Sequence, residues 1–300
     1  MHIRFLVSLA ATVAIVSASL PYASAQDIND PLYRGGAREL SAPVREDLEG
    51  LNSLARAKQM GKLVACADPY NFPSADQSSE PPGFDVEIFR SVAKRAGMRA
   101  EMFWVDTGTR GGLGRAFRNS IEKKKCDFFI GLSIGGDDTE LKENKLTWTQ
   151  PYLGMGYILV TNGKTDVPMT LPELKKAKTR IGVSMSTPMD DYLFSNGFER
   201  ELYLQNRRVM EGLAKGEVDA SMVWSSGIAQ AKRELPELKV SIAPGFVPQA
   251  GLRWNSAMAV PAKETEMKQF LDDSIDQMLK DGEIKRIVES YGVPFYAPFL

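Results

Sequence analysis

From Gly61 onward, short apolar runs alternate with stretches whose apolar residues return every three or four positions: "KLVACAD", "FDVEIFRSVAKRAG", "RAEMFWV", "LGRAFRNSIEKKK" and "CDFFIGL". That alternation predicts strand, helix, strand, helix, strand, the repeating unit of a parallel sheet covered by helices. In the first helix Val86, Phe89, Val92 and Ala93 fall on one face, while Glu87, Arg90, Lys94 and Arg95 face water. Ahead of this unit, residues 26–60 start polar and then read "SAPVREDLEGLNSLARAKQ", with Val44, Leu48, Leu51 and Leu54 on one stripe. They predict an N-terminal helical extension packed on the outside of the first lobe.

The segment "LTWTQPYLGMGYILVTNG", 146–163, is an apolar run broken by Pro151 and by glycines, and it reads as a crossing between lobes. A second alternation follows in "RIGVSMS", "TPMDDYLFSNG", "ELYL", "NRRVMEGLAKG", "VDASMVW", "SSGIAQAKREL" and "LKVSIAP". The closing stretch from Leu252 gives a strand and two helices separated at Gly282, the first with Met267, Phe270, Leu271, Ile275, Met278 and Leu279 inward. Folding this stretch back onto the first sheet would make that lobe discontinuous: 61–160 and 253–300 in lobe 1, 161–252 in lobe 2, joined by a two-stranded hinge. The expected fold class is α/β, two mostly parallel sheets flanked by helices.

The first residues run from a basic start through the apolar stretch Phe5–Leu20 to Ala23-Ser24-Ala25, the pattern of a signal peptide, residues 1–25. Export to the periplasm is expected, with no membrane-embedded segment and no lipid-accepting cysteine at the new terminus. With 37 basic and 38 acidic residues and no long run of either sign, the chain offers nothing to nucleic acid. The single histidine, His2, lies in the leader, so histidine metal sites and Ser-His or Cys-His nucleophiles are excluded. An oxidising compartment and two cysteines point to one disulfide, Cys66–Cys126. In a 2-1-3 strand order the strands carrying them are neighbours, with the cysteines near their carboxyl ends or middles.

Candidate chemistry gathers at strand ends. "CADPYNFP" holds Asp68, Tyr70 and Phe72 between two prolines, a loop shaped to meet something. Asp68 either caps its own turn or accepts a donor from a ligand or partner; Tyr70 and Phe72 either wall a cleft or plug the space beneath the loop. "DTGTRGGLGRAF" lacks the Lys-Ser or Lys-Thr of a phosphate loop, and reads instead as a flexible loop bringing Arg110 to the cleft mouth. Asp137, Asp138 and Glu140, beside Lys142 and Lys145, lack calcium-loop spacing and read as solvated charges. No metal or cofactor is expected. Trp224 closes the strand "VDASMVW", while Trp148 and Trp254 fit a core equally well.

The segments "GFDVEIFRSVAKRAG", "CDFFIGLSIGGDDTE", "LTWTQPYLGMGYILV" and "LKDGEIKRIVESYGVP" together resemble the periplasmic solute-binding proteins of polar amino acid importers, over nearly the whole mature chain. Cys66-Ala67-Asp68-Pro69, Cys126-Asp127, "VDASMVW" and the terminal "YGVP" are more narrowly similar to the MxaJ and XoxJ branch, associated with PQQ-dependent methanol dehydrogenases. The wider family implies two lobes closing over a solute, an arginine after the third strand for the ligand carboxylate, and an acid at the end of the "VDASMVW" strand for its ammonium group. Here the first loop reads Ser133 to Leu141 without arginine, and Trp224 stands where the acid would be. In the branch a Gly-Pro follows that tryptophan; this chain has Ser225-Ser226. The resemblance therefore implies a binding protein, not an enzyme, that docks a methanol dehydrogenase through a cleft edged by Asp68, Tyr70, Phe72, Arg110, Ser133, Trp224 and Ser225. The alternative is an importer receptor for a small polar solute.

Overall fold

The computed structural model describes residues 50–134, 138–163 and 170–299; the leader and the Val44–Leu48 part of the expected helix lie outside them. Helix α1 (Ser53–Met60) starts later than the stripe predicts, because the Asn52 side chain accepts the Ala55 N–H at 2.8 Å and caps it there. Leu51 therefore falls before the helix and is exposed, leaving Leu54 and Ala57 as its buried face.

The chain continues through β1 (Lys62–Ala67), a hairpin of β2 (Tyr70–Asn71) and β3 (Ala75–Asp76), α2 (Phe84–Arg95), β4 (Arg99–Trp104), α3 (Gly112–Asn119), β5 (Phe128–Ile134), α4 (Thr139–Glu143) and β6 (Leu146–Trp148). Strands β4, β1 and β5 pair in that order, all parallel, which is the expected 2-1-3 arrangement. Period-two alternation gives β1 two buried faces: Leu63, Ala65 and Ala67 join the core under α2, while Val64 and Cys66 meet Phe117 and Phe129 under α3. The Cys66–Cys126 disulfide staples this second face, with the two Cα atoms 5.6 Å apart. Cys66 sits toward the carboxyl end of β1 as expected, but Cys126 lies just ahead of β5.

Gly131 breaks the alternation of β5. Its φ of 74° is left-handed, and a Cβ there would lie 3.0 Å from Asp85 Oδ2 and from Ser74 Oγ, so the position requires glycine on both counts. A bulge results. Phe129 and Leu132, three apart, share one core, and the register against the neighbouring strand slips.

Strand β7 (Leu153–Thr161) leads out of this lobe into α5 (Leu171–Lys176), β8 (Ile181–Ser184), α6 (Pro188–Ser195), β9 (Arg200–Tyr203), α7 (Asn206–Lys215), β10 (Ala220–Trp224), α8 (Gly227–Glu234) and β11 (Ser241–Ile242). In this lobe β10, β8 and β9 run parallel, and β7 is antiparallel to β10. Leu171, Leu174, Met189 and Leu193 cover one face; Val209, Met210, Leu213 and Ile228 cover the other. The chain returns by β12 (Arg253–Pro261), α9 (Thr265–Lys280) and α10 (Glu283–Ser290).

Strand β12 pairs antiparallel with both β5 and β7, and Met267, Leu271, Ile275, Met278, Ile284 and Val288 pack with Leu63, Val86 and Phe89. The closing helices thus complete the core begun by the opening strands. The molecule has two lobes, and β7 and β12 are the strands that join them. Among the described residues no helix is long and apolar enough to cross a membrane.

Candidate functional site

Two hollows lie at the carboxyl ends of the parallel strands. In lobe 1 a space of about 190 Å3 is lined by Asp68, Asn71, Ser74, Thr107, Gly131 and Leu132. In lobe 2 about 440 Å3 is lined by Tyr157, Ser184, Met185, Leu204, Trp224 and Gln230. Gln230, on the wall of the lobe 2 hollow, donates through Nε2 to the Phe72 carbonyl at 2.6 Å, next to Asn71 of the lobe 1 hollow, so the walls of the two hollows touch at one junction, the crevice. A larger hollow of about 910 Å3, beside Arg56, Cys126 and Lys263, lies at the amino end of β5, away from the crevice.

Asp68 is half-buried and fully engaged. Its Oδ1 accepts the Tyr70 N–H at 2.8 Å, and its Oδ2 accepts the Thr107 N–H at 2.8 Å together with the Thr107 hydroxyl. It closes its own turn and also ties the exit of β1 to that of β4. Beyond this turn Tyr70 projects into solvent, 78% exposed, and is part of neither hollow.

Phe72 turns inward. The Arg233 guanidinium lies 3.7 Å from its ring centroid, and the Tyr291 ring is 6.4 Å away. The same arginine donates to Asp76 Oδ2 at 2.8 Å and to Ser79 Oγ at 3.1 Å. Burial alone would raise the Asp76 carboxyl, but hydrogen bonds from Ser78, Ser79 and Arg233 outweigh it and hold the group well below the usual carboxylate range. A preformed anionic cradle on the β2–β3 hairpin thus receives a cation from α8.

Trp224 stands half-buried at the junction, touching the cores of both lobes. Its ring centroid is 5.6 Å from that of Tyr157 in an edge contact and 5.4 Å from that of Trp254. The charges lining this hollow are Arg207 and Glu234, and they pair with each other at 3.4 Å. The lobe 2 wall is therefore aromatic, with its charges already matched.

The other expected residues are scattered. Arg110 is exposed, with its carbonyl accepting from Arg115 Nη1 at 3.1 Å. Ser133 is exposed on β5 opposite Ser256 of β12, one residue past the strand's last contribution to the lobe 1 hollow. Ser225 is buried: its hydroxyl lies 3.4 Å from the Gly156 N–H and donates to Met155 Sδ, and its own N–H donates to the Gly156 carbonyl at 2.9 Å. It ties β10 to a joining strand and presents nothing to the crevice. Of the nearby acidic cluster, Asp138 accepts the Trp148 indole N–H at 3.0 Å, and Asp137 lies outside the described residues.

Sequence reasoning missed Gln230 and Arg233. They stand three apart on α8, on the face away from Ile228 and Ala231, and that polar i, i+3 pair was the available signal. Asp76 and Thr107 carried none, because their roles depend on partners far along the chain.

Beneath the lobe 1 hollow, Asp85 is buried at the start of α2 and accepts the hydroxyls of Ser74 and Tyr152. Burial pushes its carboxyl up to about 6, against the lowering effect of those two hydrogen bonds.

Known proteins share this architecture. The crystal structure of the L-cystine solute receptor of Neisseria gonorrhoeae, unliganded and open, superposes with a TM-score of 0.64 at 15% identity, covering 79% of this chain and 95% of that one. L-cystine-binding protein TcyJ of Escherichia coli strain K12 is 25% identical over 250 residues, 81% of this chain and 86% of the relative. Protein MoxJ of Methylorubrum extorquens is 24% identical over 289 residues, 85% of this chain and 89% of the relative. Residues 63–294 match the model of the bacterial extracellular solute-binding proteins, family 3, and the chain belongs to that family.

Proposed function

We propose that this protein is an exported, non-enzymatic accessory of a PQQ-dependent methanol or alcohol dehydrogenase, which it docks through the crevice and assists during maturation. The observation carrying this reading is the Tyr157–Trp224–Trp254 ring cluster, standing where an amino acid receptor would hold the acid for a ligand ammonium group. Aromatic residues that lose their remaining water on docking are the typical anchors of a protein interface. Among the described residues, the two charges lining the lobe 2 hollow, Arg207 and Glu234, are paired with each other and not held open for a zwitterion. The resemblance to the MxaJ and XoxJ branch and the alignment with MoxJ support the same reading.

The test is a pull-down of purified apo methanol dehydrogenase at micromolar concentration. The native chain is expected to retain it and Trp224→Ala to lose it; no retention by the native chain rejects the proposal.

A second reading, a receptor delivering a small solute to an importer, is favoured by the alignment with TcyJ. Thermal shift with L-cystine, other amino acids, carboxylates, alcohols and PQQ distinguishes the two. A true ligand at 100 times its Kd stabilises by about 2.7 kcal/mol.

A further inference from the structure

The strands that join the lobes are not free to flex alone. The segment 293–299 lies across both. The Gly154 N–H of β7 donates to the Tyr296 carbonyl at 2.9 Å. On β12, Asn255 grips Phe299 twice: its Nδ2 donates to the Phe299 carbonyl and its Oδ1 accepts the Phe299 N–H, both at 2.8 Å. The Arg253 guanidinium covers the Phe299 ring at 4.3 Å.

The same segment reaches into both lobes. Phe295 packs against the lobe 1 core formed with α2, α9 and α10, whereas Tyr296 packs against the lobe 2 core of Ile158, Val160 and Val209. The Tyr296 hydroxyl donates to the Phe246 carbonyl in lobe 2 at 3.0 Å. Successive residues of one segment are thus anchored on opposite sides of the junction.

Gly154 records how closely the segment is seated. A Cβ at that position would lie 2.7 Å from the Phe299 ring and 2.8 Å from the Ala297 carbonyl oxygen. Its φ is not left-handed, so conformational freedom does not call for glycine there. Close approach does.

We propose that residues 293–299 are a strap that holds the two lobes at one separation, so that an occupant of the crevice meets a preformed surface instead of one that closes around it. Hinge closure concentrates large backbone rotations in a few joining residues, and a segment bonded to both joining strands opposes those rotations. Binding to such a surface carries a smaller ordering cost. This inference goes beyond the proposed function and applies equally to a protein or a solute in the crevice. The Arg233 contact with Asp76 and Phe72 braces the same lobes at a second place.

The test is a distance measurement between spin labels on Lys94→Cys in lobe 1 and Lys215→Cys in lobe 2, both exposed positions, in the full protein. The native cysteines are joined to each other, so only the introduced thiols react. The otherwise native chain is expected to give one narrow peak. Gly154→Ala, which evicts the strap, and Asn255→Ala, which releases it, are each expected to add a second, separated peak while circular dichroism stays native. A broad or double distribution in the otherwise native chain overturns the proposal, as does a folded variant that keeps the single narrow peak. Should both variants fail to fold, the distribution of the otherwise native chain decides.

Discussion

The Arg233 guanidinium stacks 3.7 Å from the Phe72 ring centroid, which ties the second lobe to the loop leaving the first strand of the first. Phe72 is thereby occupied by the protein itself. The resulting crevice is edged by an aromatic residue already in contact, with Trp224 half-buried on the facing lobe 2 wall.

Arg233→Ala removes both the stacking and the cation facing Asp76. A loss of about 1–2 kcal/mol is expected in denaturant unfolding, with Arg233→Lys falling between because it keeps charge without the planar face. Asp76 is held below its ordinary value of 3.8, so its contribution is present above that pH and lost as pH falls further. Acid unfolding of Arg233→Ala should therefore occur at higher pH than in the native chain; an unchanged acid midpoint would show that Arg233 does not support Asp76.

Asp85 behaves in the opposite sense. Its carboxyl rises from 3.8 to about 6 in the folded state, which keeps a proton that the unfolded chain has already released. The associated stability is complete below 3.8 and is lost as pH rises through about 6, a change of about 3 kcal/mol. Asp85→Asn removes this slope. Unfolding at about pH 4.5 and about pH 7.5 checks it: the variant should gain on the native chain at the higher pH.

The Cys66–Cys126 disulfide closes a loop with a sequence separation of 60. Loop-closure entropy assigns it about 4 kcal/mol. Paired Cys66→Ala and Cys126→Ala substitutions should lower stability by that order, measured by denaturant unfolding against the oxidised protein. An equal stability would place the constraint elsewhere.

Ser221, fully buried in β10, has a hydroxyl oxygen with no hydrogen-bond partner among the described residues. Removing an unsatisfied buried hydroxyl, so that the hydroxymethyl side chain becomes a methyl, removes a desolvation cost, and Ser221→Ala should be more stable by about 1 kcal/mol. A fall in melting temperature would reveal an unseen partner.

Much of the fold was legible in the sequence because burial imposes periods that survive without partners. Val86, Phe89 and Val92 repeat at helical spacing whatever they pack against, and their burial follows. The same logic reached α9, where Met267, Leu271, Ile275 and Met278 form the inner face. It failed at Leu51, because the Asn52 side chain caps the helix one residue later and leaves Leu51 ahead of it, while Leu54 of the same stripe is buried. The candidate site was less legible: Trp224 lines the lobe 2 hollow and Phe72 meets Gln230 and Arg233 beside it, whereas Ser225, chosen for following Trp224, is buried against Gly156.

The sequence by itself determined the alternation of strands and helices, the inward face of the closing helices, and the pairing of the two cysteines. Each follows from local period or from there being only two thiols. Tertiary structure alone decided that Gln230 and Arg233 reach Phe72 and Asp76, more than 150 positions earlier, and that Gly154 is glycine because Phe299 lies against it. Such contacts join residues whose own neighbours carry no trace of the partner. They exist only once two lobes and a strap have been brought together by burial elsewhere.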